Sequence, residues 1–101
     1  MAQEVEVQKV LNVGAPHITV HDADMLERVA QGATDILTVF EKGEYGWWIY
    51  IGGNLNPSSV EVWSYSKAVT QLIQEAQALG CHWICIDRDG PIYDWLDTYE
   101  W

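Results

Sequence analysis

Asp87 and Asp89 stand two residues apart at the end of the apolar run Cys81 to Ile86, and Gly90 follows them. Carboxylates so spaced can face one phosphoryl group across a divalent cation. The same pair could open a calcium loop, but that loop needs glycine at its sixth position and glutamate at its twelfth, where Ile92 and Thr98 stand. Otherwise the pair is a tight Asp/Gly/Pro turn whose carboxylates cap backbone amides. Zinc-type ligands occur at His17, His21, Cys81, His82 and Cys85. Of these only His17 and His21 have a ligand spacing, and they straddle a strand end and a helix start. Cys81 adjoins His82, but strand neighbours point to opposite faces, which separates nucleophile from base. The Gly52-Gly53 loop lacks the Lys and Ser/Thr of a phosphate loop. No catalysis, metal or cofactor is expected.

The last fifteen residues carry a different chemistry. Asp87, Asp89, Asp94, Asp97 and Glu100 alternate with Tyr93, Trp95, Tyr99 and Trp101, and Arg88 is the only local cation. The whole chain has a formal net charge of -10, which repels nucleic acid and anionic membranes and favours a basic protein surface. Carboxylates at phosphate-like spacing can occupy a basic groove, with electrostatic steering speeding the encounter and buried rings anchoring it. The residues expected to bind a partner are therefore Asp87, Asp89, Asp94, Trp95, Asp97, Glu100 and Trp101. The simpler alternative is that the acids serve solubility.

These groups need a scaffold. A chain of 101 residues makes one domain with one core. Residues 1–13 alternate polar and apolar, an optional extra edge strand or arm. Gly14 to Pro16 break it, and His17 to Val20 form the first strand. Asp22 is placed as the N-cap of a helix with Met25, Leu26, Val29 and Ala30 inward, ending at Gly32. Residues 36–40 and 45–51 form a hairpin across Glu41 to Glu44. Ser58 and Glu61 make a capping-box pattern for the longest helix, whose core stripe is Val62, Val69, Leu72, Ile73, Ala76 and Leu79. The strand Cys81 to Ile86 follows, then a turn and a tail over 90–101. The order βαββαβ predicts an α+β fold of ferredoxin-like type, an antiparallel sheet with two helices on one face. The hairpin and last strand are apolar on both faces: Trp47, Ile49 and Ile51 point one way, Trp48 and Tyr50 the other. The second face therefore needs a cover, either the tail aromatics or a second subunit in a homodimer. Trp48 and Tyr50 could stack nucleobases, but such rings sit among Lys and Arg, and this chain has five in all.

Cys81 and Cys85 lie roughly 13 Å apart on one face of a strand, too far for a disulfide. They read as small buried hydrophobes in a reducing compartment. The N-terminus has no signal-peptide pattern and no apolar run approaches a membrane span, so a cytoplasmic location is expected.

Two resemblances add to this reading. Ile86 to Gly90 resembles the opening motif of the haloacid-dehalogenase-type phosphatases, but Pro91 stands where Thr or Val should follow. Only eleven residues come after Gly90, too few for the parallel-sheet domain that motif opens. Gly46 to Tyr50, Gly80 to Pro91 and Thr98 to Trp101 resemble a family of small bacterial and phage domains of unknown function, associated with mobile elements and antirestriction neighbourhoods. The resemblance implies no catalytic residue. It implies a non-enzymatic inhibitor of a nucleic-acid-processing defence system, an anti-CRISPR or antirestriction protein acting as a DNA mimic. The alternatives are a structural homodimerisation module and a small ligand-binding or enzymatic domain.

Overall fold

The computed structural model of the chain describes residues 5, 7–33, 37–52, 55 and 65–100. Strand β1 (Val10–Gly14) is followed by a 3-10 turn (Ala15–His17), helix α1 (Val20–Ala30), strands β2 (Thr38–Glu41) and β3 (Gly46–Tyr50), helix α2 (Lys67–Ala78) and strand β4 (Trp83–Asp87). The fold is α+β, with a four-stranded mixed sheet in the order β1-β4-β3-β2.

The all-antiparallel ferredoxin-like sheet is thereby corrected. β4 lies between β1 and β3, parallel to β1 and antiparallel to β3. The physical reason is the connection through α2, which leaves β3 and enters β4 at the same end of the sheet, where the Ile51 amide donates to the His82 carbonyl (2.9 Å). β4 thus returns beside β3, and β1 is left as an edge strand.

Local chemistry explains the other departures. The optional arm supplies β1, while His17 to Val20 is not a strand. Pro16 sits in the first turn of the 3-10 segment, where its fixed φ fits and its missing N–H costs nothing. Thr19, rather than Asp22, is the N-cap of α1. Its hydroxyl accepts from the Asp22 amide (3.1 Å) and its own amide donates to the Asp22 carboxylate (3.2 Å), a reciprocal capping box. Asp22 is fully buried. It also accepts from the Ser66 amide (2.8 Å) and hydroxyl, and Ser66 is the N-cap of α2. One carboxylate so ties both helix N-termini together. The capping pattern at Ser58 and Glu61 falls outside the described residues, and α2 starts only after extended Ser66.

Both helices cover one face of the sheet. Leu11, Val13, Val39, Trp47, Ile49, Ile84 and Ile86 point from the four strands into one core with Leu26 of α1 and Val69, Leu72, Ile73 and Ala76 of α2. β3 and β4 are the two central strands; the helices cover one face of them, and on the other their aromatic side chains pack on one another while staying partly exposed. Among the described residues, no helix is long and apolar enough to cross a membrane.

Candidate functional site

The C-terminal segment is fixed along the free edge of β1. The Gly14 amide donates to the Pro91 carbonyl (2.8 Å), and the Tyr93 hydroxyl donates to the Asn12 carbonyl (2.9 Å). Residues 12 and 14 share the side of β1 that faces away from β4, so these bonds satisfy groups an edge strand would otherwise expose. The approach is close at Gly90, where an added Cβ would stand 2.5 Å from the Val13 carbonyl oxygen.

His17 holds the segment from inside. It is 2% exposed. Its Nε2 accepts from the Tyr93 amide (2.9 Å), so the proton sits on Nδ1, which donates to the Asp97 carbonyl (2.8 Å). The Tyr93 ring stacks on the imidazole, with centroids 6.1 Å apart. Leu96 inserts into the core, and the Tyr99 amide donates to the Pro16 carbonyl (2.7 Å). Burial, with Asp97 and Asp22 nearby, pushes the Tyr99 phenol above its ordinary pKa.

The residues expected to bind a partner separate into groups. Asp94, Asp97 and Glu100 are exposed, and Trp95, resting on Tyr93 with ring centroids 5.2 Å apart, is 50% exposed. Of the described tail residues, Leu96 and the partly buried Tyr93 pack on the core, and Trp95 does not. Asp89 is exposed, with its amide bonded to the Asp87 carboxylate (2.8 Å) as in an Asx turn. Asp87 is not an outward acid. It pairs with Lys42 at 2.7 Å, and hydrogen bonds from Lys42 and then from the Asp89 amide hold its carboxyl below the usual carboxylate range. The Asp87 hydrogen bond raises Lys42 in turn. Trp101 lies outside the described residues.

Among the described residues the tail rings Tyr93, Trp95 and Tyr99 do not pack on the aromatic cluster of the second sheet face, because the segment turns along the edge instead. That face carries a cluster centred on Trp83, with Tyr50, Phe40 and Trp48 at ring centroid distances of 4.9, 6.0 and 6.4 Å. Phe40 is 52% and Tyr50 39% exposed. Gln8, Val10, Phe40, Trp48 and Trp83 line an open cleft of about 460 Å³, and Gln8 orients Trp83 by accepting from its indole N–H (2.7 Å). Lys42 Nζ sits 5.3 Å from the Trp48 ring centroid and 3.4 Å from the sulfur of buried Cys85. The two-faced apolar pattern signalled Trp48 and Tyr50. The roles of Lys42 and His17 had no local signal, because their partners lie 43 to 80 residues away.

The cysteines are free, with Cys81 partly buried. Among the described residues no three His, Cys, Asp or Glu side chains converge as metal ligands.

The chain is thus a small α+β domain with a mixed four-stranded sheet, an acidic segment tied to its edge and a sheet face of partly exposed aromatic rings. Residues 10–101 match the C-terminal domain of a family of unknown function, DUF5983, and the chain belongs to that family. No curated protein and no solved structure matches it.

Proposed function

We propose that this chain is a non-enzymatic protein-binding domain whose C-terminal segment docks on a basic surface. The finer reading is a partner that processes nucleic acid in host defence, with the domain serving a mobile element as a DNA-mimic-like inhibitor. The observation that carries the binding role is the anchoring of the segment. A tail that served solubility alone would have no use for a buried histidine, two backbone hydrogen bonds and the Tyr93 hydroxyl tie to β1. Fixing the chain in advance removes ordering entropy from the binding step. Asp94, Asp97 and Glu100 then form a charged rim, with half-exposed Trp95 as an apolar anchor among them.

The test is capture of partners from host lysate by wild type and by the variant Asp94→Asn, Asp97→Asn, Glu100→Gln. The expected result is a basic nucleic-acid-binding protein retained by wild type and released by salt, with the variant binding it much more weakly. Capture insensitive to both salt and the substitutions would overturn the proposal.

A further inference from the structure

We infer that the open aromatic face of the sheet is a second docking surface, and that its occupant is an arginine-bearing extended segment of a basic partner. This rests on the proposed preference for a basic partner and names the chemistry by which the face would recognise it.

Three observations choose this occupant. The face already binds a cation: Lys42 lies over the Trp48 ring at 5.3 Å, oriented by Asp87. The neighbouring rings of Trp83, Phe40 and Tyr50 offer the same electron-rich surfaces around the cleft. A planar guanidinium stacks on such rings better than an ammonium, because it is flat and weakly hydrated.

The second observation is charge. With a net charge of -10, two copies of the chain repel one another, whereas a cationic segment is drawn in.

The third is size. Four strands about 4.8 Å apart, three of five residues and one of four at about 3.3 Å each, give a patch of at most roughly 14 by 16 Å. That is a few hundred Å², well short of the ~800 Å² per partner of a stable protein–protein interface. The patch suits one peptide segment laid across the strands rather than a second copy.

The probe is a short Arg-Gly repeat peptide, with lysine and citrulline versions of the same peptide, titrated by tryptophan fluorescence and NMR indole shifts. The expected result is shifts at Trp48 and Trp83, weaker binding of the lysine peptide and none of the uncharged citrulline peptide. Phe40→Ala removes a ring that is half exposed, so the fold survives, and it should weaken the arginine peptide about tenfold. Neutralising Asp94, Asp97 and Glu100 should weaken binding only at low salt.

Equal binding of the citrulline peptide, or full binding by Phe40→Ala, would overturn the inference. If binding instead vanishes on neutralising the tail and persists in Phe40→Ala, the aromatic face is excluded while the acidic-segment proposal stands. Sedimentation showing a dimer that Phe40→Ala dissociates would assign the face to a second copy and overturn the inference.

Discussion

His17→Ala should release the C-terminal segment without unfolding the sheet. In place, the substitution removes the acceptor for the Tyr93 amide, the donor to the Asp97 carbonyl and the ring stacked on Tyr93. Two hydrogen bonds at a net ~1 kcal/mol each, with a cavity term for the lost ring of about 1–2 kcal/mol, total about 3–4 kcal/mol. The segment has another choice, however. If docking it along β1 is worth less than that sum, the segment detaches, water satisfies the freed groups, and the measured loss equals the docking free energy. Denaturant unfolding alone cannot separate these outcomes, but hydrogen exchange can. The amides of Gly14 and Tyr99 are bonded to Pro91 and Pro16 across the docked interface, so detachment exposes both while Ile49 and Ile84 in the central strands keep their protection. Leu96→Ala gives the second reading. If the segment detaches in both single variants, the double variant loses little more than either one, and the two effects are strongly non-additive. A loss below about 1 kcal/mol with the Gly14 and Tyr99 amides still protected would refute the reasoning that His17 is the staple.

Three further perturbations probe the scaffold and the aromatic face. Asp22→Ala strips the acceptor from Thr19 and from two donors of Ser66. It should cost about 3 kcal/mol or more in urea unfolding and loosen the first turns of both helices. Gly46→Ala places a Cβ 1.7 Å from the Ile86 carbonyl oxygen, so β3 and β4 must separate, and thermal unfolding should show a loss of roughly 3 kcal/mol. The Lys42–Asp87 pair should make the stability difference between wild type and Asp87→Asn depend on pH. Asp87 is depressed in the fold, so its contribution is present above the unfolded carboxyl value of about 3.9 and is lost as pH falls through its lower folded value. Lys42 is raised, so its contribution is present below about 10.4 and is lost as pH rises through its higher folded value. The difference should be flat between these limits and shrink on both sides, which denaturation midpoints across pH would check.

Period and punctuation made much of the fold legible. Alternation along β3 placed Trp47 and Ile49 inward and Trp48 and Tyr50 outward, and the stripe Val69, Leu72, Ile73 and Ala76 marked α2. The N-cap of α1 was misplaced because Asp22 is a good cap type, yet Thr19 with Asp22 at N3 satisfies two amides where Asp22 as cap would satisfy one. The site was legible as chemistry but not as place: the acids of the tail are evident in the sequence, while what the tail lies against depends on strand order.

The departure from an antiparallel sheet and the failure of the described tail rings to cover the second face have one cause. Parallel pairing of β1 with β4 puts Gly14 opposite Asp87, so both strands end at the same end of the sheet. A chain leaving β4 there needs only the turn at Arg88 to Gly90 to come beside Gly14. It then runs back along β1, meeting residue 14 through Pro91 and residue 12 through Tyr93. The edge is the nearest unsatisfied backbone, and hydrogen-bonding groups claim the tail before the aromatic face can. His17, one turn beyond β1, is carried to the same end and locks what the turn delivers. Tyr93 and Trp95 of the tail and the rings of the sheet are thus kept apart by topology, which leaves Trp95 beside the acids of the tail and Trp83 to the aromatic face.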